Sequence, residues 1–276
     1  MKTFFKWQGN KSKHFKYILP ELPSDYDTYV EPFVGSGALF LHVEPKKWII
    51  NDLNKDNINI WKLAKNDPEY IKREFFKFKR HFLKKTKREK LLYCRKKTNE
   101  LNTMKESKER IVLYMLMTYC AYLGNIFFHH KFYFRILEMN IYINNRYFFL
   151  EPSYFHNVFQ VSKFLNSTKG KIYNDDYKKI LQKAKEDDFV FLDPPYIEDH
   201  KYGFKYNKNE KLDIDFLNEL KLQCEVLDKK NVKWLMTQAD TKEIRKIFKG
   251  YVMKEYPVYR RGNKCYKNEL LVKNFE

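Results

Sequence analysis

Cysteine, glycine, acidic residues and long apolar runs are all scarce in this chain. Four cysteines occur in 276 residues, Cys94, Cys120, Cys224 and Cys265, and no two have C-x-x-C spacing. That excludes a disulfide scaffold and the usual ligand spacing of a zinc site, so no metal is expected and the thiols read as free, in a reducing compartment. No run approaches the ~18 apolar residues of a membrane span. Met1-Lys2-Thr3-Phe4-Phe5 passes at once into charged and polar residues, without the apolar stretch of a signal peptide. The expectation is a soluble, intracellular protein with no membrane partner, in the cytoplasm of a bacterium or of a virus- or phage-infected cell. Asp plus Glu number 35 against 54 Lys plus Arg, a net charge of +19. A polyanion is therefore the first partner to consider, against the plainer alternative of a solvated basic surface.

The chain nonetheless holds enough apolar residues to fold, 43% with 18% aromatic. Short apolar runs alternate with helical patterns, which predicts an α/β sheet. Residues 29–34, 48–51, 189–192, 233–237 and 270–273 read as strands, 38–43 as the start of a helix, and 212–227 as a helix. Residues 62–168 differ from the rest. Within them, 72–97 hold 13 basic and two acidic residues with Phe and Tyr interleaved, 111–123 suit a buried helix, and 126–149 are rich in Phe, Tyr, His and Asn. The expected organisation is one α/β domain, residues 1–61 and 169–276, interrupted by an inserted helical and loop domain at 62–168. No internal repeat or low-complexity linker is evident.

Only eight glycines exist, yet Gly35 and Gly37 fall in one turn between a predicted strand and a predicted helix. Glycine there lets the backbone turn tightly and lets a ligand approach the helix start. Asp52 follows at the end of the next strand, where an acid can accept the hydroxyl hydrogens of a ribose. A third glycine at dinucleotide spacing is missing, as is the Lys-Ser/Thr of a P-loop. A ligand with a ribose and no pyrophosphate fits better than NAD or ATP, and S-adenosylmethionine is the common one. The alternative is a structural turn beside an unrelated surface Asp.

Asp193-Pro194-Pro195-Tyr196 is the sharpest feature. Two prolines after a strand fix two φ angles, remove two donors and hold the preceding residues extended. The Asp193 carboxylate and the Pro194 carbonyl can accept both hydrogens of one amino group, and Tyr196 offers a flat ring for a planar base. An exocyclic amino nitrogen is a poor nucleophile because its lone pair is conjugated into the ring. Acceptors at both N–H bonds favour charge on that nitrogen as it attacks a methyl group. The alternative is a proline-stiffened turn with no ligand.

At these residues the chain resembles the Dam-like, D12-class N6-adenine DNA methyltransferases. Lys6-Trp7-Gln8-Gly9-Asn10-Lys11 is similar to the family's Lys-Trp-x-Gly-Gly-Lys. Glu31-Pro32-Phe33-Val34-Gly35-Ser36-Gly37-Ala38-Leu39-Phe40 is close to its phenylalanine-glycine motif, with Ile50-Asn51-Asp52-Leu53-Asn54 after it. Phe191-Leu192-Asp193-Pro194-Pro195-Tyr196 is similar to its catalytic block. A weaker match covers Arg260 to Asn263 and then Asn268-Glu269-Leu270-Leu271-Val272, similar to the family's last strands. The resemblance implies a Rossmann-like class I methyltransferase sheet with an inserted, mainly helical target-recognition domain. It implies transfer of the methyl group of S-adenosylmethionine to a flipped adenine in DNA, often as part of restriction-modification. It implies catalysis by Asp193, Pro194, Pro195 and Tyr196. The cofactor contacts it implies are Trp7, Lys11, Glu31, Phe33, Gly35, Gly37, Asp52 and Asp193, with Asp176 and Tyr177 matching a pair that sits over the cofactor's adenine.

Two departures stand out. Asn10 replaces the second glycine of the first block. Where the family continues to an Asn-Gly and then an Arg that contacts the target, this chain reads Cys120-Ala121-Tyr122-Leu123-Gly124-Asn125. A recognition sequence other than GATC is expected, with Arg135 and Arg146 as candidate base readers and Lys84, Lys85 and Lys87 as candidate phosphate contacts. Alternatives are N4-cytosine methylation, an RNA adenine target, and a catalytically weak nucleic-acid-binding homologue. C5-cytosine methylation is not expected, because no Cys sits in a Pro-Cys nucleophile loop. The oligomeric state is not legible in the sequence.

Overall fold

The computed structural model of the chain describes residues 1–7, 9–120, 152–196, 214–260 and 265–276. Among them the chain forms two compact units. The first comprises Met1–Asn10, Gly35–Glu44 and Asn54–Ile172; the second comprises Lys11–Val34, Pro45–Leu53 and Tyr173–Glu276. The expected insert, residues 62–168, falls in the first unit together with 1–10, 35–44 and 54–61.

The described strands are β1 (Tyr29–Glu31), β2 (Lys47–Asn51), β3 (Lys169–Tyr173), β4 (Phe189–Leu192), β5 (Lys233–Ala239), β6 (Val252–Arg260) and β7 (Cys265–Lys273). They make one seven-stranded sheet in the order β3-β2-β1-β4-β5-β7-β6. β1 pairs in parallel with β2 and β4, and β4 with β5; β7 runs antiparallel to both β5 and β6. This is a mixed, Rossmann-like α/β sheet. All four residues of β4 are buried, as a central parallel strand requires. Val190 and Leu192 of β4 and Trp234 and Met236 of β5 pack with Leu217, Leu220, Cys224 and Leu227, which recur at helical spacing on Ile214–Lys229.

The first unit is mainly helical. Its helices include α2 (Ala38–Val43), after α1 (Phe15–Ile18) of the second unit, then α3 (Lys55–Asn66), α4 (Pro68–Leu83), α5 (Lys87–Thr103), α6 (Lys108–Cys120) and α7 (Pro152–Ser167). Local chemistry sets the starts. Asn54 caps α3 by accepting from Asn57 N, Asp67 caps α4 by accepting from Tyr70 N, and Thr86 with Glu89 forms a capping box on α5. The core is aromatic. Phe4, Phe5, Phe40, Trp61, Phe75 and Phe82 are each almost fully buried, and Phe4 meets Trp61 edge-on at 5.0 Å.

One predicted strand is shorter than its apolar run. Residues 29–34 read as a strand, but β1 ends at Glu31. Pro32 has no N–H for the ladder, and its carbonyl accepts from the Asn51 side chain. β7 is instead longer than 270–273, because pairing with β6 extends it back to Cys265. Residues 121–151, including Arg135 and Arg146, lie outside the described residues.

Candidate active site at the carboxyl ends of the strands

The strand order reverses direction between β1 and β4: one crossover from β1 leads to β2, while β4 and then β5 continue on the other side. In open α/β sheets, ligands bind outside the carboxyl ends of the strands at such a point. The residues following β4 are Asp193-Pro194-Pro195-Tyr196, and those following β1 are Pro32-Phe33-Val34.

Asp193 is held on one oxygen. Lys11 Nζ lies 2.8 Å from Oδ1, and the Thr237 hydroxyl on β5 donates to the same atom at 2.6 Å. Oδ2 takes part in neither contact, and the Asp193 side chain keeps 18% of its surface exposed. Lys11 is itself buried, and its ammonium also sits 4.7 Å from the centre of the Tyr196 ring, a cation–π distance. One lysine therefore touches both ends of the tetrapeptide. Tyr196 is buried, and its hydroxyl donates to Glu269 Oε2 at 3.0 Å. Burial, then the Glu269 and Asp193 carboxylates, push its phenol far above the ordinary range, so it stays a donor.

The loops after the other strands are braced by amides. Asn51, at the end of β2 and 1% exposed, donates to Pro32 O and Asp175 O and accepts from Asp175 N, at 2.9–3.0 Å. Asn174 donates to the Asp52 and Leu53 carbonyls. Asp52 is thereby placed directly after β2, partly exposed. Asp176 caps Tyr177–Leu181 by accepting from Lys178 N, while its neighbour Asp175 pairs with Lys179. The rings of Phe33 and Tyr177 lie 5.2 Å apart. Burial first, then Glu219, raise the Tyr177 phenol. Glu31 is buried and accepts from the Tyr29 hydroxyl at 2.7 Å.

In the first unit, the glycine turn is shaped by its neighbours. Gly35 has φ +49°, and a Cβ there would lie 2.7 Å from Trp7 Cδ1 and 3.0 Å from Nε1. Its carbonyl accepts from Trp61 Nε1 at 3.0 Å. Gly37, at φ 62°, precedes α2. Only glycine fits the first position without strain or collision. Asn10, the residue that departs from the glycine of the first block, donates to the Ser36 hydroxyl at 3.2 Å and so takes a place in this turn.

Of the basic candidates, Lys84 is exposed at the end of α4 and Lys85 lies over the Tyr93 ring at 5.3 Å. Lys87 begins α5, and its side chain is outside the described residues. Three residues of the site were not singled out from sequence: Asn51, Thr237 and Glu269. The signal that could have found Glu269 is a carboxylate heading an otherwise apolar run, Leu270-Leu271-Val272. No described helix is long and apolar enough to cross a membrane.

Comparison with known proteins gives the family. The model of the family described as "D12 class N6 adenine-specific DNA methyltransferase" matches residues 7–261. The chain is 27% identical to the Type II methyltransferase M1.LlaDCHI of Lactococcus lactis subsp. cremoris, over 91% of this chain and 86% of that protein. It is 26% identical to the Type II methyltransferase M.MjaIII of Methanocaldococcus jannaschii, over 100% of this chain and 99% of that protein. It is 25% identical to the DNA adenine methylase of Haemophilus influenzae, over 94% and 87%. With Asp193-Pro194-Pro195-Tyr196 at the switch point of a Rossmann-like sheet and the family model matched over nearly the whole chain, the chain belongs to the D12 class of N6 adenine-specific DNA methyltransferases, enzymes that move a methyl group onto DNA.

Proposed function

We propose that the methyl donor is S-adenosylmethionine and that the acceptor is an adenine amino group held at Asp193-Pro194-Pro195-Tyr196. The observation that carries this reading is the Asp193 carboxylate, anchored through Oδ1 by Lys11 and Thr237 with Oδ2 in neither contact. The side chains near the strand ends suit the donor by their chemistry: Asp52 for ribose hydroxyls, Phe33 with Asp176 and Tyr177 for a flat adenine, and Lys11, Glu31 and Asp193 for its charged groups. Trp7, Gly35 and Gly37 are assigned to the same ligand from their family motifs. When bound, the donor supplies an electrophilic methyl on a sulfonium.

The chain's own part is acceptance and alignment. Asp193 Oδ2 and the Pro194 carbonyl accept the two amino hydrogens, and the proline pair holds both acceptors in place before the reaction. Tyr196 orients the ring of the base, which leaves the duplex at a cost of a few kcal/mol. Pro195 adds the second fixed φ. Target reading is assigned to the 62–168 domain, with Lys84, Lys85 and Lys87 on phosphates; Arg135 and Arg146 are assigned to bases.

Incubation of the protein with labelled S-adenosylmethionine and mixed DNA and RNA, followed by nucleoside mass spectrometry, tests the reading. Label in N6-methyladenine of DNA is expected, and it should vanish with Asp193→Ala while circular dichroism shows the protein still folded, at a lower melting temperature because Lys11 loses its buried partner. Label in N4-methylcytosine or in RNA, or transfer that survives Asp193→Ala, would overturn it.

A further inference from the structure

A buried carboxylate with no place in the chemistry described so far lies behind the catalytic loop. Glu269 is 2% exposed, in mid-sheet, paired across the ladders with Ala239 on β5 and Tyr256 on β6. Its Oε2 receives the Tyr196 hydroxyl at 3.0 Å and the Tyr256 hydroxyl at 2.9 Å, and it lies 3.3 Å from His14 Nδ1. A carboxylate removed from water is costly unless it is hydrogen-bonded, and phenol-to-carboxylate bonds are among the stronger kinds. An apolar residue would suit this strand position better if only packing mattered.

We infer that Glu269 is a positioning residue for the reaction: it holds the Tyr196 ring, through the hydroxyl, in the plane that receives the target base. The contacts close on themselves. Lys11 and His14 belong to the same short 3₁₀ turn, Lys11–His14. Lys11 grips Asp193 and faces the Tyr196 ring, while His14 meets the carboxylate that grips the Tyr196 hydroxyl. The tetrapeptide is thus fixed at its first residue, on its ring face and at its far hydroxyl by one turn and one buried acid. Pro194 and Pro195 stiffen the span between. Stacking alone needs no hydroxyl, whereas stacking in a fixed plane does. Small misalignments of reacting groups cost large factors in rate.

The inference rests on the assignment of Tyr196 to the target base. Steady-state kinetics with duplex DNA should show that Glu269→Gln lowers kcat by about tenfold to a hundredfold, with the KM for the methyl donor unchanged. Tyr196→Phe removes the same hydrogen bond, together with a contact to Thr237, and leaves Glu269 its Tyr256 and His14 partners, so it tests the idea even if Glu269→Gln folds poorly. It should show the same kcat loss, and the double variant should lose no more than either single one. Normal kcat in Tyr196→Phe, or multiplying losses in the double variant, would overturn the inference. Normal kcat in Tyr196→Ala would instead overturn the assignment of Tyr196 to the base.

Discussion

At the scale of single residues, the site depends on atoms held from several strands. Asp52 follows β2, with its loop fixed by Asn174. If it accepts ribose hydroxyls, Asp52→Ala should weaken S-adenosylmethionine binding by ~1.5–3 kcal/mol, the worth of hydrogen bonds to a charged group. Titration calorimetry checks this, and unchanged affinity would remove Asp52 from the cofactor set. Gly35 presents a different case. Its φ of +49° and the approach of Trp7 at 2.7 Å to an added Cβ are separate obstacles to a side chain. Gly35→Ala should destabilise the protein by at least the ~1–2 kcal/mol of left-handed strain. Adding Trp7→Ala should relieve the collision but not the strain, so in a Gly35→Ala background that second change should cost less than it does alone. Denaturant melts of the four proteins measure the difference.

At the scale of elements, the sequence was legible where one segment decides its own structure. β4 has the bounds its apolar run predicts, residues 189–192, and α2 starts where expected, at Ala38, but already ends at Val43. β1 fell short at Pro32, and β7 ran long because β6 pairs with it, a partner not visible in its own residues. The tetrapeptide and the glycine turn were readable as motifs. Their supports were not: Asn51 reaches Asp175 across 124 positions, Tyr196 reaches Glu269 across 73, and Thr237 reaches Asp193 across 44. Such contacts exist only once the sheet is assembled. The same holds for Glu21, which ties the N-terminal segment to both strands of the last hairpin through Lys254 at 2.6 Å and Lys273 at 3.1 Å. The Lys254 hydrogen bond, then Lys273, holds its carboxyl below the ordinary value of 4.5. A carboxylate with a lowered folded pKa contributes stability that is present above the unfolded value and is lost as pH falls through the folded one. Glu21→Gln should therefore be less stable than the parent at neutral pH. The gap should narrow below about pH 4.5, as denaturant melts across pH would show; a gap independent of pH would mean that the pair contributes only packing.

At the scale of the whole molecule, a net charge of +19 meets a substrate that is a polyanion. The α4 and α5 segments concentrate that charge. Phe75, Phe78 and Phe82 are buried, and Arg73 and Lys77 are engaged by Glu74. Lys84 is exposed at the turn between the two helices. An apolar side turned inward with cations left outward suits a surface that tracks phosphates without reading bases. Sequence preference should then reside elsewhere in residues 62–168, and single-molecule sequencing of DNA methylated in a strain without its own adenine methylation should report a motif other than GATC. Strict GATC modification would show that the missing Arg after residue 120 is replaced from another position. Phosphate contact has its own signature. Log affinity should fall linearly with log salt, with a slope of about 0.9 per phosphate neutralised. Replacing Lys84, Lys85 and Lys87 together by Gln should flatten that slope by up to about 2.7, three such contacts at 0.9 each. The preferred motif should not change, because phosphates carry no base identity. The melting temperature should move little, since Lys84 is exposed and the contacts given up by Lys85, with the Tyr93 ring and with the Glu89 charge, lie at the surface. An unaltered slope would place the DNA on another face, and an altered motif would make these lysines readers of bases and not of the backbone.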